Sequence, residues 1–231
     1  MKHFSTQDFA MLDKQYRAKL INSLSGFKSA NLVGTQDALG NTNLSMVSSV
    51  FHIGADPALV GMIMRPDSVP RDTLTNIKHH GFYTINHVCR DIFQQAHQAS
   101  ARYGAQESEF EKVGLTPEYL DGVLAPFVAE SRLKFAVKMR EIMPLSINNT
   151  ILVIGEICHL YCVSDAIKAD GYIDIESLET VAVTGLDCYH ITHRLSRLSY
   201  AKPNKPLQCL NLDGEDSAAL IRSKNDPHQH S

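Results

Sequence analysis

Two short stretches of this sequence gather side chains whose types and spacing could do chemistry. The first, Arg65-Pro66-Asp67-Ser68-Val69-Pro70-Arg71-Asp72-Thr73, sets two arginines and two hydroxyls at the start of a helical segment, 72–80. Free N–H groups and the positive end of a helix dipole suit a phosphate, and arginine adds paired, charge-assisted donors. The same residues also read as a plain Asp72 or Thr73 cap beside a solvated Arg71, and caps far outnumber anion sites. The second stretch, Asn43 with Ser45-Met46-Val47-Ser48-Ser49-Val50, carries hydroxyl and apolar groups on both faces of a strand. The usual alternation of an apolar and a polar face fails there. A planar ligand lying along this strand could set its polar rim against serine hydroxyls and backbone N–H groups. An edge strand with solvent-facing serines is the plainer alternative.

The eleven histidines and five cysteines add less. His190-x-x-His193 could share a helix face, but no neighbouring carboxylate or cysteine completes a recognisable ligand set. Cys158 and Cys162 fall on one strand face and read as small buried hydrophobes. His79 and His80 stand at a helix end, where a cation is welcome. The sequence holds no nucleophile elbow, P-loop or H-E-x-x-H signature.

The elements that must position these residues are mostly strands. Runs 29–35 and 42–53 are β-prone and joined by a short link ending Gly40-Asn41, too short for a crossover helix, so they pair antiparallel. Further strands are expected at 58–64, 82–87, 150–163 and, last, 181–186. In 133–139, Leu133, Phe135, Val137 and Met139 share one face while Lys134 and Lys138 take the other, the pattern of a half-buried antiparallel strand. Helices punctuate these strands: an opening helix over 8–24, then 72–80 ending at Gly81, and 92–101. Ser108-Glu109-Phe110-Glu111 matches a capping box for a helix stopping at Gly114. Thr116-Pro117 opens another turn, and a small helix over 164–170 closes at Gly171. The order lacks a βαβ rhythm, and no G-x-G-x-x-G follows a strand, which disfavours a dinucleotide-binding sheet. The expected fold class is mainly β: a closed antiparallel barrel with helical insertions. One domain over 1–203 is expected, followed by a polar, loosely held tail over 204–231.

Bulk properties narrow the partners. A formal charge of −3 leaves no basic excess, so nucleic acid is an unexpected partner. Hydrophobic content of 44% is enough for a real core, but no apolar run is long enough to span a bilayer. The opening MKHFSTQDF lacks the apolar centre of a secretory signal. An odd, irregular set of cysteines fits a reducing compartment, so a cytoplasmic location is expected.

The order of segments resembles the flavin-reductase-like family of FMN-binding split barrels. The matching pieces begin with 43–50, Asp56-Pro57-Ala58-Leu59-Val60, Arg71-Asp72-Thr73-Leu74-Thr75-Asn76-Ile77 and Phe82-Tyr83-Thr84-Ile85-Asn86. They continue with Ser100-Ala101, Ser108-Glu109-Phe110, Gly114-Leu115-Thr116, Ala129-Glu130-Ser131, Ile154-Gly155-Glu156-Ile157 and Gly185-Leu186-Asp187-Cys188-Tyr189. Each is weak alone, but their order across 20–200 is specific. The resemblance implies an antiparallel split β-barrel of Greek-key type. It also implies that Asn43, Ser48, Ser49 and Val50 meet the isoalloxazine and ribityl chain of FMN. Ser68, Arg71 and Thr73 would hold its phosphate, with Arg65, Asn86 and Ser100 as further candidates. Many relatives have lysine where this chain has Arg71, which keeps the charge and alters contact geometry. Arg65-Pro66 and the N-terminal helix mark a divergent branch.

The activity implied is an NAD(P)H-dependent flavin reductase, with the nicotinamide bound transiently and a partner oxygenase as one candidate recipient. The alternative is a non-catalytic FMN protein that carries electrons or sequesters flavin, and FAD stays open beside FMN. The resemblance also implies a homodimer. His52, Tyr189 and His190 are candidates for the rim of a nicotinamide slot, although Tyr189 and His190 read more plainly as groups that close the barrel.

Overall fold

The structure, a computed structural model, describes residues 1–66, 72–104 and 107–217. Its strands in chain order are β1 (Lys28–Ser29), β2 (Asn31–Gln36), β3 (Thr42–Val47), β4 (Val50–Ala55), β5 (Ala58–Met64), β6 (Phe82–His87), β7 (Pro117–Glu118) and β8 (Phe127–Val128). They continue as β9 (Leu133–Pro144), β10 (Ile151–Cys162), β11 (Val181–Thr184), β12 (Cys188–Ile191), β13 (Arg197–Leu198) and β14 (Cys209–Leu210). The helices are α1 (Thr6–Met11), α2 (Lys14–Ser23), α3 (Asp72–His80), α4 (Phe93–Gln98) and α5 (Glu109–Val113).

Seven strands form the main sheet in the order β3-β2-β6-β9-β10-β5-β4, every pair antiparallel. Strands β3 and β4 are its two edges, yet only Ser48 and Ser49 separate them in the chain. Two residues reach roughly 7 Å, so the sheet must roll until its edges nearly meet. That is a barrel split between β3 and β4, and the non-sequential neighbours β2–β6 and β5–β10 give it Greek-key connections. The mainly β, antiparallel split barrel implied by the resemblance is therefore the fold observed; the closed barrel expected from the strand pattern is not, because edges β3 and β4 do not pair.

The inner face carries the first core. Val33, Ile85, Val137, Met62 and Val153 meet inside the barrel, and Leu74 and Ile77 of α3 pack into the same core. A second core lies outside, where Leu32, Leu44 and Val88 meet Ala96 of α4, Phe110 of α5 and Val183 of β11. Helix α5 ends on Gly114, whose φ of 70° needs the left-handed region that glycine adopts without penalty.

Several local expectations change. The run 42–53 is two strands broken at Ser48-Ser49, because the chain passes from one edge to the other. The helix expected over 8–24 is also two: Asp13 accepts from Gln15 N and Tyr16 N, capping a new helix. The Ser108 capping box does not form. Its hydroxyl pairs with Thr42 Oγ1 at 2.7 Å, while Glu109 accepts from Leu44 N on the β3 edge. Pro117 belongs to strand β7, and β11 is followed by three further strands. Lys134 is buried, not solvated: β7 and β8 cover it, and its ammonium reaches Glu118, Val128 O and Ala129 O. Cys158 is exposed rather than a buried hydrophobe. The described part of the tail folds back, with β14 paired to β13, and Arg197 of β13 bonds Asp170. Among the described residues no helix is long and apolar enough to cross a membrane.

Candidate functional site

A cleft of about 580 Å³ opens where β3 hands over to β4. Its inner wall is the corner Ser48, Ser49 and Val50, with Phe51 and Ile63 beside it. The opposite wall comes from the end of α2 (Ile21, Asn22) and the approach to the barrel (Phe27, Lys28, Ser29). The corner is held firmly. Ser49 Oγ donates to Ile63 O at 2.7 Å and accepts from Ile63 N at 3.2 Å, replacing with its side chain the ladder bonds that the break interrupts. Ser29 Oγ donates to Val50 O, and Asn31 Nδ2 donates to Ser29 Oγ at 2.8 Å. Apolar walls with a few fixed polar groups, at this volume, are the usual make-up of a small-molecule site. Among the described residues, none that lines it is a carboxylate or a histidine.

At the other end of β3 lies a second polar group. Asn43 Nδ2 donates to Thr35 Oγ1 (3.1 Å) and to Thr73 Oγ1 (2.9 Å), and Thr73 in turn donates to Ser45 Oγ (3.0 Å). Asn76 Nδ2 donates to the same Thr35 oxygen. This network anchors the first turn of α3 to β2 and β3, with Thr35, Thr73 and Asn76 all buried. Thr73 therefore spends its hydroxyl hydrogen inward, which leaves the first backbone N–H groups of α3 as its outward donors. Asn43 and Ser48 stand five residues apart, roughly 17 Å along the strand.

The structure thus sorts the expected site residues into three sets. Ser48, Ser49 and Val50 line the cleft together. Asn43 and Thr73 are hydrogen-bonded to each other at the head of α3. The others stand apart: Arg65 is exposed just past β5, two residues beyond the Ser49 partner Ile63, and Ser100 is exposed in the turn after α4. Asn86 is fully buried, with Nδ2 donating to Leu32 O and Thr84 Oγ1 and Oδ1 accepting from Val128 N, so its amide braces the barrel. Ser68 and Arg71 lie outside the described residues. Of the rim candidates, His52 is exposed on β4, and Tyr189 packs on Phe93 and bonds His97 at 3.1 Å. His190 meets the ring of Phe27, a cleft residue, edge-on at 5.0 Å.

Sequence reasoning missed the α2 and β1 side of the cleft: Ile21, Asn22, Phe27, Lys28 and Ser29. These carry no motif. Their one signal is that Phe27 and Lys28 directly precede the first strand run, and nothing in the sequence says which later strand that run faces.

Comparison with known proteins bears on this geometry. A family model, the flavin reductase like domain, matches residues 25–177. A split-barrel-domain protein from Shewanella frigidimarina NCIMB 400, provisionally named a flavin reductase, is 57% identical, with a TM-score of 0.84 over 87% of this chain and 100% of its own. Nitrilotriacetate monooxygenase component B from Bacillus cereus superposes with a TM-score of 0.75 at 18% identity, covering 86% of this chain and 98% of its own. The flavoredoxin of Desulfovibrio vulgaris (Miyazaki F) does so with a TM-score of 0.64 at 23% identity, covering 78% and 92%. The last two likenesses establish a shared fold.

Proposed function

The chain belongs to the flavin reductase like domain family, and from that membership we propose that it binds FMN and works as an NAD(P)H-dependent flavin reductase. The observation that carries this reading is the layout of β3. One end of the strand borders an apolar-walled cleft, and the other is bonded to the first turn of α3. A flavin mononucleotide has the same division, with a flat, mostly apolar ring at one end and a phosphate at the other.

Val50, Phe51, Ile63 and Ile21 would enclose the ring, and Ser48, Ser29 and Asn22 would offer hydrogen bonds to its polar edge. The N-terminal N–H groups of α3, with Arg71 and Ser68, would hold the phosphate. A flavin held there would supply the redox chemistry, serving as acceptor of hydride from a reduced nicotinamide. The residues of the cleft bind, orient and exclude water. Hydride transfer itself needs no protein acid or base, which fits the described lining of mainly apolar and hydroxyl groups. FAD, which carries the same ring and ribityl phosphate, stays open beside FMN in this reading. Reduced flavin would pass to an oxygenase partner, the arrangement suggested by the likeness to a monooxygenase component.

The test is anaerobic mixing of FMN-loaded protein with excess NADH or NADPH while flavin absorbance is followed. Bleaching faster than that of free FMN with the same nucleotide supports the reductase. No acceleration with either nucleotide defeats it and leaves a flavin carrier. Absence of flavin binding at micromolar concentration in equilibrium dialysis defeats both.

A further inference from the structure

Beside the cleft, three side chains on one face of the β11–β12 hairpin form a nucleophile–base cluster. Cys188 and His190 are two residues apart on β12 and so share a face. Thr184 stands directly opposite Cys188 on β11. His190 Nε2 lies 3.3 Å from Cys188 Sγ and 2.9 Å from Thr184 Oγ1. A thiol within hydrogen-bond reach of an imidazole nitrogen is a nucleophile–base pair; Thr184 meets the same Nε2, so its hydroxyl shares that nitrogen with the thiol.

The five cysteines are all free thiols, but their surroundings differ. Cys89 is buried and gives its S–H to Glu130 O, while Cys158 and Cys162 give theirs to Ala136 O and Val163 O. Partial desolvation by their neighbours pushes the Cys158 and Cys162 thiols up, away from ionisation. Cys209 is exposed on β14. Cys188 is exposed as well and is paired with an imidazole.

Two cleft-lining residues join this cluster to the candidate site. Phe27 packs its ring against His190 at 5.0 Å. Its neighbour Lys28 donates from Nζ to Gly185 O, at 2.6 Å, in the turn that leads into Cys188. We propose that Cys188 is a nucleophilic thiol with His190 as its base, placed at the rim of the cleft to react with hydroperoxides. The supply of peroxide at this place rests on the flavin reading, since flavin electrons reaching dioxygen yield hydrogen peroxide; the reactivity of the pair does not.

His190 Nε2 takes the Cys188 proton, and the resulting N–H donates to both the thiolate and Thr184 Oγ1. A sulfur lone pair attacks one peroxide oxygen and forms an S–O bond while the O–O bond breaks. Sulfur loses two electrons and the peroxide gains them. The departing hydroxide takes the proton from His190 and leaves as water, so thiol and hydrogen peroxide become sulfenic acid and water.

The experiment adds hydrogen peroxide directly to the full-length protein, with and without FMN, so its outcome does not depend on flavin turnover. Sulfenic acid is trapped with dimedone, and labelling at Cys188, Cys158 and Cys209 is read by peptide mass spectrometry. At pH 7 the expected rate at Cys188 is about tenfold that at Cys209, in the direction set by a neighbouring base. That advantage should shrink near pH 10, where unassisted thiols ionise by themselves, and H190Q should bring Cys188 down to the rate of Cys209. Equal rates at Cys188 and Cys209 at pH 7 overturn the proposal. So does an advantage that persists unchanged at pH 10 or in a folded H190Q protein, because exposure alone would then explain it.

Discussion

At the scale of single residues, Thr73 shows how a side chain placed by motif can be used differently by its neighbours. Its hydroxyl ties Asn43 to Ser45, and through Asn43 the head of α3 is tied to Thr35. T73V keeps the shape but removes a buried hydrogen-bonding group, leaving Asn43 and Ser45 each short of a partner. The expected cost is about 1–3 kcal/mol in denaturant unfolding, with FMN and riboflavin affinities falling together. Arg71 makes the opposite prediction. A charge-assisted bond is worth about 1.5–3 kcal/mol, so R71A should weaken FMN roughly 10- to 100-fold and leave riboflavin, which has no phosphate, nearly unchanged. Isothermal titration with both ligands checks the pair, and equal losses in R71A would assign Arg71 to the fold instead. His87 yields a pH dependence. Burial lowers its ring to about 4 from the ordinary 6.5, and its Nδ1 is sealed from solvent without a partner. The unfolded chain therefore takes up a proton that the folded ring refuses. Stability from this site is fully present above about pH 6.5 and falls as the pH drops toward 4. The loss is about 1.4 kcal/mol by pH 5.5 and about 3 kcal/mol once both states are protonated. Unfolding free energies at pH 7.5, 5.5 and 4.5 measure it, and H87F should flatten that slope.

At the scale of elements, the break at Ser48-Ser49 decides the architecture. A single strand over 42–53 would have run along one sheet edge; the break sends β4 to the other edge and opens the cleft between them. Ser49 substitutes its hydroxyl for two ladder bonds to Ile63, so S49A should cost about 1–3 kcal/mol. It should also loosen the β4 edge, visible as faster amide exchange at Ile63. Gly34 marks another junction. On β2 it faces the chain at Pro126, where Thr84 Oγ1 donates to Pro126 O at 2.6 Å, and an added Cβ would meet both that carbonyl and, at 2.6 Å, the Thr84 hydroxyl. Backbone cannot swing aside as a side chain can. G34A should therefore lower stability by about 1–3 kcal/mol, read as a fall in melting temperature.

At the scale of the whole molecule, the cleft has an apolar margin exposed in the single chain. Ile21 of α2, Leu24 just past its end, Phe27, and Phe51 and Ile53 of β4 are all exposed. Helix α2 buries none of its residues. Surface of this kind around a binding site is expected to be covered, and the homodimer implied by the family resemblance would cover it, burying well over about 2,000 Å². Light scattering should then give twice the chain mass of 25.7 kDa at micromolar concentration. A single-chain mass would leave this margin to another partner.

The sequence by itself determined the strands with clean alternation or β-branched runs, the antiparallel pairing across the short link after Gln36, and the extent of α3. These follow from local periodicity and turn chemistry, which act over a few residues. It also determined the family, because many weak pieces in a fixed order carry more information than any one of them. Only the tertiary structure decided that residues 42–53 are two strands on opposite edges, that Lys134 is buried beneath β7 and β8, and that Asn86 is a brace. It alone brought Phe27 and Lys28 to the cleft, and Cys188 and His190 to its rim. The reason is physical: each of those outcomes is set by which distant backbone or side chain arrives to share a hydrogen bond. Local propensity is blind to a partner 40 or 150 residues away along the chain, such as Val128 for Asn86 or Gly185 for Lys28.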